Sequence, residues 1–163
     1  MVNVNIFEQL VKEYYENEGF FLKENYSYGK GREADLLGIN VKGLCIHIEV
    51  TERMFSSYDF KTQIEKKFYN NDIKKCYIDV FGSTKVKRVY VVWWVKNSAQ
   101  LYTLRKTIKC RRKIKIISFQ DILKRVSENA RKQSWLFTKN KLSSIFKMYY
   151  TYIKSKKNGS EGK

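Results

Sequence analysis

Two carboxylates sit where short apolar runs leave little room for charge. In the stretch EADLLGINVKGLCIHIEVTE, residues 33–52, Asp35 precedes LLGI and Glu49 lies between Ile48 and Val50. A buried carboxylate is costly unless it is paired, hydrogen-bonded or bound to a metal. Alternation in LCIHIEVTE puts Ile46, Ile48 and Val50 on one side of a strand, and His47, Glu49 and Thr51 on the other. ADLLGI (34–39) reads as a second strand and NVKG (40–43) as the turn between them, so the two acids come from the arms of one hairpin. Adjacent strands that each present one acid to the same side form a rigid oxygen chelate, which suits Mg²⁺ or Mn²⁺. Such an ion lowers the pKa of a bound water and stabilises charge developing on a phosphate. A side-chain cation usually assists. The chemistry within reach is metal-dependent hydrolysis of a phosphodiester. Glu33 shares the parity of Asp35, and Glu8 is placed to add a further ligand from an earlier helix. The plainer alternative makes Asp35 a strand-edge turn residue and Glu49 a solvent-facing position on a half-exposed hairpin. His47 reads first as a surface or packing residue of its strand, and only second as a catalyst.

The flanking segments must position these acids. FEQLVKEYYENEGF spaces Phe7, Leu10, Val11 and Tyr14 for a helix over residues 4–18, with Gly19 closing it. GFFLKENYSYGKG reads as an extended arm with a Gly-Lys-Gly turn. After the hairpin, Phe60, Ile64 and Phe68 predict a helix, with Ser57 or Asp59 as its cap. IKKCYIDVFG (73–82) is ambiguous: Ile73, Cys76, Tyr77 and Val80 favour continued helix, while CYIDVF also suits a strand. KVKRVYVVWWV (85–95) is apolar on both faces and predicts a central strand. A short helix is expected over 99–108, a strand over 114–118, and a helix from Phe119 opened by Ser118 and Asp121. These elements predict an α/β fold, with a central mixed sheet flanked by helices. The expected organisation is an α/β domain over 1–130, a basic aromatic C-terminal helix over 131–154 and a disordered tail over 155–163. No internal repeat or clear second domain is read.

The order is a helix with Glu8, then GREADLLGI, then IHIEVTE, then a helix with Gln63, then an apolar strand. It resembles the PD-(D/E)XK nuclease superfamily, with its restriction-endonuclease-like fold. It is most similar there to archaeal Holliday-junction resolvases and related archaeal virus or plasmid nucleases. The resemblance spans roughly residues 4–95, and further to 130 if the later strand and helix are counted. It implies Asp35 and Glu49 as metal ligands and Glu8 as the acid of the first helix. The family pattern places a lysine two residues after the second acid, where this chain has Thr51. Thr supplies no positive charge. The resemblance therefore implies a relocated cation, with Lys61, Lys66 or Lys67 on the next helix as candidates. Gln63 is a candidate supporting residue, and Lys61 and Gln63 are the expected catalytic partners of Asp35 and Glu49. A further reading keeps the fold for DNA binding without cleavage.

Charge points to the partner. The net charge is +17, and it is unevenly spread: residues 1–81 hold 11 Lys/Arg against 13 Asp/Glu, and residues 82–163 hold 22 against 3. Such asymmetry favours a polyanion. Lys30, Arg32, Lys85, Lys87, Arg88, Arg111, Arg112, Lys113 and Lys115 are the candidate phosphate contacts. Strand-edge charge that blocks aggregation is the plainer account of several of them. Residues 131–157 mix lysines with Trp135, Phe137, Phe146, Tyr149, Tyr150 and Tyr152. That mixture suits docking on the core or on a second subunit, stacking on unpaired bases, or lying on an anionic membrane. DNA, duplex or branched, is the expected partner, with Mg²⁺ or Mn²⁺ and no small-molecule cofactor. A homodimer stays open, since cutting two strands symmetrically needs two sites.

Cys45, Cys76 and Cys110 are too scattered for a zinc set with one histidine, and they read as reduced, mostly buried thiols. No basic region followed by an apolar one opens the chain, and no apolar run reaches the roughly 18–20 residues of a membrane span. The expectation is a cytoplasmic protein without a membrane span.

Overall fold

Helix α1 (Ile6–Asn17) begins where Asn5 caps it: the Asn5 side chain accepts the backbone N–H groups of Phe7 and Glu8. Glu18 caps its C-terminus, and Gly19, with a φ of 89°, then turns the chain into strand β1 (Phe20–Ser27). The computed structural model describes residues 5–54, 57–94, 99, 102, 106 and 114–132. Strands β2 (Glu33–Asn40) and β3 (Cys45–Met54) form the expected hairpin. Helices α2 (Ser57–Phe68) and α3 (Asn71–Phe81) lead to β4 (Val86–Trp94). Strand β5 (Ile114–Ser118) is followed by α4 (Phe119–Lys132).

The sheet runs in the order β1-β2-β3-β4-β5. Strands β1, β2 and β3 are antiparallel neighbours, while β3, β4 and β5 are parallel. The fold is thus α/β with a five-stranded mixed sheet flanked by helices. The ambiguous segment 73–82 is helix. Asn70 caps it by accepting the Ile73 N–H, and left-handed Gly82 closes it with an N–H to Ile78 O. The arm before the Gly-Lys-Gly turn is a true strand. Ser118 receives the Asp121 N–H on its Oγ, as the capping signal predicts.

Both faces of the sheet are buried, so strict alternation of polar and apolar residues does not hold in β3. One face carries Cys45, His47, Val86 and Tyr90. Cys45 and Val86 pack with Ile73, Cys76 and Tyr77 of α3, and Tyr90 packs with Phe60, Ile64 and Phe68 of α2. The other face carries Leu36, Ile46, Ile48, Val89 and Val91, all fully buried, and α1 packs against strands β1, β2 and β3. Phe7 of α1 meets Trp93 with ring centroids 4.3 Å apart.

The chain divides into two compact units, Met1–Asp121 and Ile122–Lys163. In the second, the described residues are those of α4 beyond Asp121, and Ile122 is buried. The expected helix over 99–108 lies outside the described residues apart from 99, 102 and 106. The expected C-terminal helix and tail lie outside them beyond Lys132. Among the described residues, no helix is long and apolar enough to cross a membrane. Cys45 and Cys76 are free and buried as expected.

Gly38 shows how tightly β1 and β2 are joined. A Cβ there would stand 2.3 Å from the Phe21 carbonyl oxygen and 2.5 Å from Leu22 Cδ2. Backbone cannot yield as a flexible side chain can. Gly38→Ala is therefore expected to destabilise the fold by about 2 kcal/mol or more, measured by chemical denaturation. A neutral Gly38→Ala would mean that the two strands are not in this register.

Candidate active site

The site forms where the β2–β3 ladder stops. Its last pair is Leu36 with Ile48, so Asp35 and Glu49 are the next residues on each strand. On the other side of β2, the β1 residue opposite Asp35 is Asn25, which has a φ of 50° and drops out of the β1–β2 register. Asn tolerates that left-handed conformation better than most residues. Where the strands part, the Asp35 carboxylate accepts the Val50 N–H at 2.7 Å. The carboxylate thus satisfies a backbone donor at the end of the ladder.

Glu49 is 1% exposed, which overturns the reading of it as solvent-facing. The reason is that α2 and α3 cover its face of the sheet. Each of its oxygens has a partner: Oε1 lies 2.7 Å from His47 Nε2, and Oε2 lies 2.6 Å from Lys67 Nζ. The same ammonium stands 3.6 Å from Asp35 Oδ1. Lys67, on the last turn of α2, therefore bridges the two acids. Lys67 is one of the three helix lysines named from the sequence as candidate cations.

Glu8 joins this group electrostatically. Burial, then the nearby Asp35 and, more weakly, Glu49 and Glu52, raises its carboxyl from 4.5 to about 7, while a hydrogen bond from Asn5 opposes the rise. Burial and the Glu49 charge raise Asp35 to about 6, with Lys67 and the Val50 N–H pulling the other way. Burial also raises Glu49 against the pull of Lys67. For Lys67, burial works to lower its pKa, but Glu49 and Asp35 together outweigh it and leave the ammonium raised. His47 is fully buried, and burial holds it near 3, so it is neutral at ordinary pH.

These shifts have a consequence for stability. Glu8 and Asp35 hold protons in the folded chain that the unfolded chain releases. Stability therefore falls as pH rises from about 4.5 to 7. His47 acts in the opposite sense below its ordinary 6.5, because the unfolded imidazole takes a proton that the folded one refuses. Comparison with Glu8→Gln isolates the Glu8 contribution. Between pH values of about 5 and 7.5 the wild type is expected to lose more thermal stability than Glu8→Gln. Equal pH slopes in the two would remove Glu8 from the cluster.

The other candidates are distributed as follows. Gln63 accepts the Tyr90 Oη–H at 3.0 Å and stands beside the site. Tyr90 in turn bonds Thr51, and burial raises its phenol to about 12. The Lys61 side chain lies outside the described residues, as do Arg111, Arg112 and Lys113. Lys30 lies within the Gly29–Gly31 turn that leads into β2, and Arg32, just after it, pairs with Asp72 at 2.7 Å. Lys85 and Lys87 stand at the start of β4, four and two residues before Val89, at the opposite end of the strand from the carboxylates. Arg88 faces inward, with its guanidinium 5.1 Å from the Tyr69 ring centroid and 5.4 Å from that of Tyr77. That placement takes it away from a phosphate-contacting surface. Lys115 is exposed on β5.

Sequence reasoning missed Tyr77 and the link from His47 to Glu49. The available signal was the spacing: His47 lies two residues before Glu49 on the same face of a strand that proves to be buried.

The donors around the site are hard carboxylate oxygens, which suit Mg²⁺ or Mn²⁺. Asp35 and Glu49, both paired with Lys67, are the two acids that could hold such an ion, and Glu8 is linked to them through charge. Burial raises all three carboxyls, and the charges of neighbouring acids raise Asp35 and Glu8 further, so a dication here would favour their ionised forms. Among the described residues, no three His, Cys, Asp or Glu side chains stand close enough to form a ready-made metal group. Comparisons with family models, with curated proteins and with solved structures find nothing that matches this chain.

Proposed function

We propose that the protein is a metal-dependent DNA endonuclease of the PD-(D/E)XK type, on a restriction-endonuclease-like fold, with Mg²⁺ or Mn²⁺ held by Asp35 and Glu49 and assisted by Glu8. The observation that carries this reading is Lys67: its ammonium touches the second acid and faces the first, although the lysine position of the motif is Thr51. In this reading Lys67 is both the counter-charge of the buried acids and the cation of the reaction.

A bound dication would supply a water of lowered pKa and a positive charge beside the scissile phosphate. The chain's own residues do the rest. Asp35 and Glu49 present oxygens from two strands whose separation the hairpin fixes. Lys67 places an N–H donor and a positive charge at the same edge, where charge builds on the phosphate oxygens. Gln63 and Tyr90 hold the α2 side of the site against β4. Lys30 and Arg32 lie at the turn that enters β2, the strand that carries Asp35. The +17 net charge supports a nucleic-acid substrate held through its phosphate backbone, with duplex and branched DNA as the candidates.

A second reading is a DNA-binding protein without cleavage. It is favoured by Glu49, whose two oxygens are both engaged by His47 and Lys67. Calorimetric titration with Mg²⁺ and Mn²⁺ separates the two readings. The nuclease reading expects binding that is lost in Asp35→Asn. Tight DNA binding with no metal uptake favours the second.

A further inference from the structure

Behind Glu49, a line of polar side chains from three elements runs into the core. Tyr77 of α3 and His47 of β3 are fully buried, and Glu49 is 1% exposed. Tyr77 Oη lies 2.5 Å from His47 Nδ1, and His47 Nε2 lies 2.7 Å from Glu49 Oε1. The imidazole is held between rings, with centroid distances of 4.7 Å to Phe68 and 5.6 Å to Tyr77. Arg88 hydrogen-bonds Tyr77 and covers its ring.

The direction of each bond follows from the inventory of donors and acceptors. A neutral imidazole donates from one nitrogen and accepts at the other. The Lys67 ammonium at 2.6 Å favours Glu49 as a carboxylate, which only accepts. His47 must then donate from Nε2 and accept at Nδ1. Tyr77 gives its proton to Nδ1 and accepts from Arg88. If imidazole and phenol served packing alone, apolar side chains of the same shape would do, without the cost of burying three polar groups.

We propose that His47 is a positioning residue: locked by Tyr77 as the Nε2–H tautomer, it holds Oε1 of Glu49 and so leaves Oε2 turned to Lys67 and the reacting edge of the site. Its functional weight rests on the nuclease reading, but its hydrogen-bond arrangement does not.

His47 is the single histidine of the chain, so ¹⁵N-histidine labelling yields two ring-nitrogen signals with no assignment problem. The expected spectrum of the full-length protein near neutral pH has a protonated Nε2 and a hydrogen-bonded, unprotonated Nδ1. Tyr77→Phe, which keeps the ring, should move the Nδ1 signal toward that of an unbonded imine nitrogen. His47→Leu should weaken Mn²⁺ binding about 10- to 100-fold, the range typical when the partner of a metal-holding group is removed. DNA affinity should stay unchanged. His47→Gln, whose amide can still donate to Glu49, should recover part of the loss. Thermal melts of each variant identify any that fails to fold, in which case Tyr77→Phe carries the comparison. A protonated Nδ1 in the wild type overturns the inference, and so does a folded His47→Leu that binds Mn²⁺ as the wild type does. A wild type that takes up no Mn²⁺ contradicts the nuclease reading instead, and the tautomer and the Tyr77→Phe shift then decide the inference by themselves.

Discussion

Glu49→Gln is expected to abolish metal-dependent cleavage, by about 10³-fold or more, roughly 4 kcal/mol of barrier, while leaving DNA affinity within a factor of two or so. The substitution keeps the size of the side chain. It also keeps an oxygen that can accept from His47 Nε2, so the buried chain behind the site survives. What it removes is the negative charge at Oε2 and the acceptor for Lys67. An amide placed there points N–H donors at an ammonium, or else surrenders the bond to His47. Either way one of the two anionic oxygens' positions fails, and a neutral amide is a poor substitute for a carboxylate toward a hard cation. The DNA surface is unaffected because Glu49 is buried. Rates on labelled substrate and binding by fluorescence anisotropy measure the two effects separately. A Glu49→Gln protein that keeps a tenth of the wild-type rate would remove Glu49 from the reaction.

The second large effect is at Lys67. Lys67→Met keeps the length of the stem and removes the charge. The expected loss in cleavage rate is about 10²- to 10³-fold, the scale for removing one donor that faces developing charge. Stability should change in a pH-dependent way. Without Lys67, Glu49 and Asp35 face each other with less opposition, so their folded pKa values rise further above the unfolded ones. Stability from groups raised in this way is present below the unfolded pKa and is lost as pH rises through the folded one. Lys67→Met should therefore melt close to the wild type near pH 4 and well below it near pH 8. Added Mg²⁺ should recover part of the deficit near pH 8, because a dication takes the place of the ammonium. A variant that melts with the wild-type pH profile would mean that Lys67 is not the counter-charge of the pair.

Much of this site is legible in residues 33–52 because strand alternation and a turn signal are local. NVKG fixes the hairpin, the hairpin fixes Asp35 against Glu49, and no long-range information is needed. The helix of Phe60, Ile64 and Phe68 is legible for the same reason, since all three lie on one buried stripe. The position of Lys67 within that helix is less so. Lys61, Lys66 and Lys67 all follow from the spacing, but which of them reaches Glu49 depends on how α2 is rotated over the sheet, and packing of Phe68 and Ile64 decides that. The helical state of residues 73–82 is settled by Asn70 and Gly82, a cap at each end, where internal spacing alone leaves helix and strand close. His47 shows the limit most plainly. Alternation places it beside Glu49 and on the same face, but whether that face meets water or a second layer is a tertiary fact. Tyr77, thirty residues on and in another element, becomes its partner only once α3 lies over β3. The charge asymmetry is equally plain in the sequence, yet it does not say which basic side chains face outward, and Arg88 turns inward to two tyrosine rings.

The most direct measurement is cleavage by the purified wild-type chain of single-stranded, duplex, flapped and four-way-junction DNA. Each substrate is run with Mg²⁺, with Mn²⁺ and with chelator, beside Asp35→Asn. The account predicts cutting that needs the metal, stops with chelator and is absent in Asp35→Asn, which still binds the same DNA. Binding without cutting under either metal, or cutting that survives in Asp35→Asn, would contradict it.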